Sequence, residues 1–127
     1  MPRTVLVVED EALIRLDLCL ILEEAGFDVL QAGSADEAVS VLEANPAIGA
    51  VFTDINMPGR WDGLQLAQYV RERWPPIILV LCSGNERPDV GVMPTRTAFL
   101  AKPYDWRLLQ DRIRLVGEEL ASRVSNA

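Results

Sequence analysis

No histidine occurs anywhere in this sequence of 127 residues. That absence excludes catalysis by Ser-His-Asp or Cys-His groups, and it excludes metal sites built on imidazole. There are two cysteines, Cys19 and Cys82, and neither belongs to a CxxC pair, so the sequence indicates no zinc site, no disulfide framework and no redox role. Any chemistry must therefore rest on carboxylates, lysine, serine or a hard cation.

Long apolar runs and an excess of basic residues are lacking too. No apolar stretch approaches the roughly 18 residues that cross a bilayer, and the amino-terminal segment MPRTVLVVEDE has no signal-peptide pattern. Lys and Arg number 12 against 19 Asp and Glu, a net charge of −7, whereas nucleic-acid binding needs clustered Lys and Arg. We therefore expect a cytoplasmic protein whose partners include neither a membrane nor nucleic acid.

Short apolar runs alternate with helical stretches along the chain. The runs predicted as strands are TVLVV (4–8), DVLQA (28–32), AVFT (50–53), IILVLC (77–82) and AFLA (98–101). Parallel strands that are covered on both faces are continuously apolar. The alternation therefore predicts a single α/β domain with a doubly wound parallel sheet.

Helices are predicted between these strands. The first should run from about residue 12 to 25, the second should follow an S-x-x-E capping box at Ser34 and Glu37, and the third should cover about 63–73. The stretch 84–96 contains two glycines and two prolines, so a helix there should be short or irregular. The closing amphipathic helix is marked by Leu109, Ile113, Val116 and Leu120.

Polar side chains stand where the predicted strands end. The apolar run in AVFTDINMP leads directly to Asp54 and then breaks, and a buried carboxylate needs a partner for its charge. In parallel sheets, ligands bind beyond the carboxyl ends of the strands. The residues that follow the other strands should therefore meet Asp54 at one edge, and they are Glu9, Asp10, Ser83 and Lys102.

The residue types at this edge indicate phosphoryl chemistry. Three carboxylates without a countercharge repel one another, so a cation is expected, and an all-oxygen ligand set favours Mg²⁺. Lys102 and Ser83 would supply a positive charge and a hydroxyl to a phosphoryl group. A carboxylate in such surroundings can itself become an aspartyl phosphate. Asp54 is the candidate because it stands alone on the central strand, whereas Glu9 and Asp10 are paired.

At these residues the chain resembles the receiver domain of two-component response regulators. The matching motifs follow one another over almost the whole chain: VVEDE (7–11), TDINMPGRWDG (53–63), LCSG (81–84) and LAKPYD (100–105). The resemblance implies a flavodoxin-like sheet of order 2-1-3-4-5 with five flanking helices. It also implies Mg²⁺ as cofactor and a histidine kinase or histidine phosphotransfer protein as the phosphoryl donor.

The resemblance assigns metal-binding roles residue by residue. Asp54 would be the phosphoacceptor and would bind Mg²⁺ directly together with Asp10. Glu9 would act at the metal through water, and Asn56 would offer its main-chain oxygen.

The resemblance also assigns the phosphoryl contacts and the switch. Ser83 and Lys102 would contact the phosphoryl group, and Phe99 would occupy the switch position together with Ser83. The bond between Lys102 and Pro103 is commonly cis in this family. The loop MPGRWDG is one residue longer than the usual M-P-x-x-D-G, which alters the rim near Asp54.

Three function classes stay open on the sequence. A phosphorylatable receiver is favoured, which would be no enzyme beyond its own phosphorylation and dephosphorylation. An aspartate-nucleophile phosphatase of the haloacid-dehalogenase kind carries D-x-D after its first strand, whereas here that strand ends in EDE. A receiver-like module that is not phosphorylated should have lost the acid pair, Asp54 or Lys102, and all are present.

The number of residues after Lys102 indicates whether the sequence contains an output domain. Lys102 is followed by 25 residues (127 − 102), enough for a helix and a short tail. Residues 1–127 are therefore expected to form one receiver domain without an output domain, either as a single-domain regulator or as a fragment of something longer. Signalling would then pass by contact with an unknown downstream protein or with a second copy of the chain.

The first predicted helix has two apolar stripes at helical spacing. Ile14, Leu18, Ile21 and Ala25 form the stripe expected to face the sheet. The other stripe should face solvent and contact a partner helix or a second copy of the chain, and it consists of Leu13, Leu16 and Leu20.

Overall fold

Five parallel strands form one sheet in the computed structural model, which describes residues 3–84 and 93–125. They are β1 (Thr4–Val8), β2 (Asp28–Ala32), β3 (Ile48–Asp54), β4 (Ile78–Ser83) and β5 (Thr97–Ala101). Their order in the sheet is β2-β1-β3-β4-β5, and every neighbouring pair is parallel. The predicted fold class and strand order are confirmed.

Four helices cover the sheet in the described part of the chain. They are α1 (Ala12–Glu24), α2 (Ala35–Ala44), α3 (Gly63–Arg73) and α4 (Trp106–Ser125). The short or irregular helix expected within 84–96 falls largely on residues 85–92, which lie outside the described residues.

The predicted bounds hold for β1, β2 and α3, whereas β3 is longer at both ends. Its last residue, Asp54, still pairs with Cys82 in β4, so the phosphoacceptor candidate belongs to the ladder itself. The helix α2 begins where the capping box predicts, because the Ser34 hydroxyl accepts a hydrogen bond of 3.1 Å from the Glu37 amide.

Each face of the sheet carries its own apolar core. Leu6 and Val51 point to the face covered by α2 and α3, whereas Val7 and Phe52 point to the face covered by α1 and α4. This alternation buries both sides of each central strand. The predicted apolar face of the closing helix is confirmed, since Leu109, Ile113, Val116 and Leu120 are all buried.

The predicted core face of α1 is partly wrong. Leu18 is buried as expected, but Cys19 and Leu22 are its buried companions, and Ala25 lies exposed beyond the end of the helix. Apolar residues occur all around α1, so periodicity alone could not fix which side faces the sheet. The predicted exposure of the outer stripe is confirmed, because its leucines are exposed by 79, 47 and 50 %: Leu13, Leu16 and Leu20. Its contact with a partner stays a prediction.

Within residues 3–84 and 93–125, none of the helices combines the length and apolar character that a bilayer span requires.

Candidate functional site

The register of the sheet brings the predicted polar residues to one edge. Asp54 pairs with Cys82, and Ser83 pairs with Ala101, so these strands end at nearly the same level. Main-chain hydrogen bonds extend the ladder past the strand ends, from the Glu9 amide to Ala32 (3.1 Å) and from the Lys102 amide to Ser83 (2.8 Å). Residues far apart in sequence are therefore held side by side by backbone geometry.

Three carboxylates converge at this edge. One carboxylate oxygen from each of Glu9, Asp10 and Asp54 lies within 4.8 Å of the others. Glu9 and Asp54 are buried, whereas Asp10 is exposed. Partial desolvation and a hydrogen bond with Glu9 raise the pKa of Asp10, as expected where negative charges are crowded. The donor set suits a hard divalent cation that keeps open positions.

Lys102 bridges two of these acids. Its ammonium group donates to Glu9 Oε1 and lies 3.1 Å from Asp54 Oδ2. Partial burial by itself lowers the pKa of Lys102, but the hydrogen bonds to Glu9 and Asp54 outweigh it and raise the pKa. The lysine therefore stays charged and compensates part of the negative charge at the site.

Asn56 and Ser83 form a second pair beside Asp54. The Asn56 amide nitrogen donates to Asp54 Oδ1 (3.2 Å), and its side-chain Nδ2 donates to Ser83 Oγ (2.9 Å). Ser83 is buried. The sequence predicted a metal contact from the main-chain oxygen of Asn56, and the structure adds this side-chain link to the hydroxyl.

Phe99 stands apart from these polar groups. It is half-buried on β5 and packs against the core on the α2 and α3 side. The bond between Lys102 and Pro103 is cis, as the resemblance implies. Burial raises the pKa of the Cys82 thiol to about 12, so this cysteine is a core residue without a populated thiolate at neutral pH.

Gly63 supports the site and escaped the sequence reasoning. A Cβ atom at this position would lie 1.7 Å from the Asp54 carbonyl oxygen, so the first turn of α3 packs directly on the backbone of the candidate phosphoacceptor. The preceding Asp62 caps α3 in a reciprocal capping box with Gln65, both bonds 2.9 Å long. The D-x-x-Q spacing was the available signal for this helix start.

Arg15 is a second residue that sequence reasoning missed. Its guanidinium donates to the Glu9 carbonyl oxygen (2.7 Å) and to the Gln31 side chain (3.1 Å). It thereby connects α1 and β2 to the backbone that carries the acid pair. Its place on a helix face with apolar neighbours gave no signal of this role.

The long loop between β3 and α3 is anchored at its far end. The Trp61 indole donates to Asp36 Oδ1 (2.8 Å), and its ring meets Tyr69 edge-on at 5.3 Å. Gly59 in the same loop has a φ of 123°, a left-handed backbone conformation that favours glycine.

The family model for the response regulator receiver domain matches residues 5–114. The chain belongs to the response regulator receiver family. The transcriptional regulatory protein PdtaR of Mycobacterium tuberculosis is 37% identical over 110 residues, which cover 81% of this chain and 51% of PdtaR. This receiver chain therefore spans about half the length of that relative.

Solved receiver structures agree with this membership. A response regulator receiver protein from Sinorhizobium medicae is 31% identical, with a TM-score of 0.81 over 89% of this chain and 92% of that one. A receiver protein from Pseudomonas putida is 30% identical, with a TM-score of 0.74 over 87% and 94% of the two chains. The receiver described here shares both their fold and their family.

Proposed function

We propose that this receiver accepts a phosphoryl group on Asp54 in a Mg²⁺-dependent reaction and signals through protein contacts. The observation that carries the proposal is the convergence of Glu9, Asp10 and Asp54 around the ammonium group of Lys102. This arrangement combines a nucleophile, a ligand set for a hard cation and a fixed positive charge.

Each residue of the site would have its own role in phosphoryl transfer. Asp54 Oδ attacks phosphorus, a P–O bond forms as the donor's P–N bond breaks, and the imidazole nitrogen of the donor keeps the electron pair. Lys102 would exchange its bond to Asp54 for one to a phosphoryl oxygen, and Ser83 would donate its hydroxyl to another. Mg²⁺ held by Asp10 and Asp54, with Glu9 nearby, would supply neutralising charge for the phosphoryl oxygens.

Phosphorylation from a small donor tests this proposal most directly. In acetyl phosphate and Mg²⁺, the parent chain should gain one phosphoryl group, measured by intact mass and removed by hydroxylamine as acyl phosphates are. Asp54→Asn should gain none, whereas the control Asp28→Asn, at an exposed acid on β2, should label fully. Full labelling of Asp54→Asn would refute the assignment.

An exposed surface of α1 could receive the phosphoryl donor. We infer that a phosphohistidine protein, either a histidine kinase or a histidine phosphotransfer protein, contacts the stripe of Leu13, Leu16 and Leu20 on α1. Their exposure as one apolar stripe supports this inference. Downstream, the receiver would contact a further protein or a second copy of itself, acting in the cytoplasm and catalysing no reaction but its own phosphorylation and dephosphorylation.

A further inference from the structure

Four of the eleven arginines in the sequence surround a single cleft. The cleft has a volume of about 470 Å³ and lies beside the first residues of β4 and β5, at the opposite end of these strands from Asp54. The arginines come from separate parts of the fold, namely Arg71 from α3, Arg96 from the segment before β5, and Arg112 and Arg123 from α4.

Main-chain carbonyl groups fix three of these guanidinium groups in place. Arg71 donates to the carbonyl oxygens of Thr95, Pro75, Ile77 and Arg96 at 2.7 to 3.1 Å. Arg96 donates to Pro75 at 3.3 Å, and Arg123 donates to Pro76. Carbonyl groups satisfy the donors but carry no formal charge, so the charges of Arg71 and Arg96 are positioned without being neutralised.

The charge of the cleft is strongly positive. Glu119 is the one acid among the described lining residues, and it already accepts a hydrogen bond from Arg123 at 3.1 Å. Four arginines and one glutamate give +3 (4 − 1), so the rest of the chain carries −10 (−7 − 3). Burial, together with the charges of Arg96 and Arg123, lowers the pKa of Arg71. An anion in the cleft would relieve this repulsion.

Arg112 is available for a ligand. Among residues 3–84 and 93–123, its guanidinium group has no hydrogen bond or ion pair. It projects from α4 on the same cleft as the three fixed arginines. A planar guanidinium with unused donors pairs well with phosphate oxygens, which it can bind in bidentate fashion.

The floor of the cleft adds apolar surface. Ile77 and Leu79 are buried there, and the half-buried Phe99 stands beside them. Small-molecule sites typically combine such a floor with a few polar groups, in volumes of about 300 to 1,000 Å³. An aromatic ring could rest on Phe99 while attached phosphates reach the arginines.

We propose that this cleft binds a small molecule that bears a diphosphate group. A diphosphate carries enough negative charge to match the +3 of the lining, and the cleft has the size of a small-molecule site. A long polyanion such as a nucleic acid would meet the −10 charge of the remaining surface. The diphosphate could be inorganic or could belong to a nucleotide.

Isothermal titration in EDTA and low salt tests the proposal without involving the Mg²⁺ site. We expect inorganic diphosphate and ADP each to bind once per chain with a Kd below about 1 mM. Tighter binding of ADP would identify a nucleotide as the ligand, and equal binding would identify the diphosphate group alone. Absence of binding by both probes would overturn the proposal.

Two substitutions on α4 locate the binding. Arg112→Gln should weaken diphosphate binding by about tenfold or more. The control Arg107→Gln removes the same charge from an exposed position of α4 outside the cleft, and it should change the Kd by less than about twofold. If both variants weakened diphosphate binding equally, the diphosphate would be attracted by the overall charge of α4, and the proposed site would be wrong.

Amide chemical shifts give a readout that does not depend on any substitution. On addition of diphosphate to the parent chain, the amides of Thr97 and Phe99 should move, whereas that of Gly33, which does not line the cleft, should not. Shifts confined to other parts of the chain would contradict the assignment.

Discussion

The ammonium group of Lys102 lies 3.1 Å from the carboxylate oxygen Oδ2 of Asp54 and also donates to Glu9. The lysine thus places a positive charge among three carboxylates. Binding of a cation and a phosphoryl group would replace these contacts with new ones. Lys102 and a bound cation would therefore compete for the same carboxylates.

The acid cluster predicts metal-dependent stability. Mg²⁺ should raise the thermal midpoint of the parent chain, by an amount equivalent to about 2.7 kcal/mol when the free ion exceeds its Kd a hundredfold. Asp10→Ala should abolish most of this shift. Because the pKa of Asp10 is raised in the folded protein, its ionised form opposes folding, so the variant should be more stable than the parent in EDTA at pH 7.

A matched variant serves as the control for the Mg²⁺-dependent shift in thermal midpoint. Asp17→Ala removes an exposed acid on α1, outside the carboxylate cluster, and should keep the Mg²⁺ shift of the parent. If Asp10→Ala kept it as well, the metal would bind elsewhere.

The lysine bridge predicts how stability changes at alkaline pH. The folded pKa of Lys102 is raised above its ordinary value of 10.5, so the charged lysine stabilises the fold fully below that ordinary value. This contribution disappears as the pH rises through the folded pKa. Lys102→Met lacks it at every pH, so the stability difference between parent and variant should shrink above pH 10.5.

Chemical denaturation from pH 8 to 11.5 would measure this difference. Lys102 also lowers the pKa of the Cys82 thiol, so parent and variant are compared in a shared Cys82→Ala background. A gap that stayed constant over the whole range would show that Lys102 contributes through packing instead.

The outer stripe of α1 predicts a difference between phosphoryl donors. Leu16→Glu combined with Leu20→Glu should leave phosphorylation by acetyl phosphate unchanged, because that donor needs only the site. Transfer from a phosphohistidine protein should slow by about tenfold, or 1.4 kcal/mol. The rates can be compared by following the phosphorylated chain over time.

A second pair of leucines controls for added surface charge. Leu108 and Leu115 are exposed on α4 by 60 and 41 %, and changing both to Glu should slow neither donor. Equal slowing with both donors in the α1 variant would mean that those leucines support the fold.

Close packing of α3 on Asp54 predicts a strong effect of one methyl group. Gly63→Ala would place Cβ against the Asp54 carbonyl oxygen, so either α3 or the end of β3 must move. We expect a loss of about 3 kcal/mol or more in the free energy of unfolding. Gly84→Ala, where a Cβ meets no atom of the described residues within 4 Å, should stay within about 0.5 kcal/mol. Urea unfolding of both variants would decide, and a small loss at Gly63 would contradict this packing.

The sequence predicted those parts of the molecule that depend on strand pattern. Because parallel strands end at one edge, the meeting of Asp54 and Lys102 could be inferred from their places after apolar runs. The orientation of α1 could not, since leucines occur on all its sides and only packing selects Leu18 and Leu22 for the core.

Features away from the carboxyl ends of the strands, or set by backbone packing alone, escaped prediction. The net charge of −7 gave no sign of a cleft with a charge of +3, because Arg71, Arg96 and Arg112 lie on separate elements. The close approach of Gly63 to Asp54 is likewise a matter of backbone position. In the sequence, only the presence of a glycine at position 63 marks this close approach.

Lys102 is the one lysine in the sequence. A reagent that acylates lysine amines therefore modifies a single side chain of this protein, and that side chain lies in the site. Acylation needs the neutral amine, so the hydrogen bonds to Glu9 and Asp54 slow the reaction by keeping the amine protonated. Any event that breaks these bonds changes the labelling rate at one known peptide. Mass mapping of residue 102 can thus follow occupancy of the site without a partner protein.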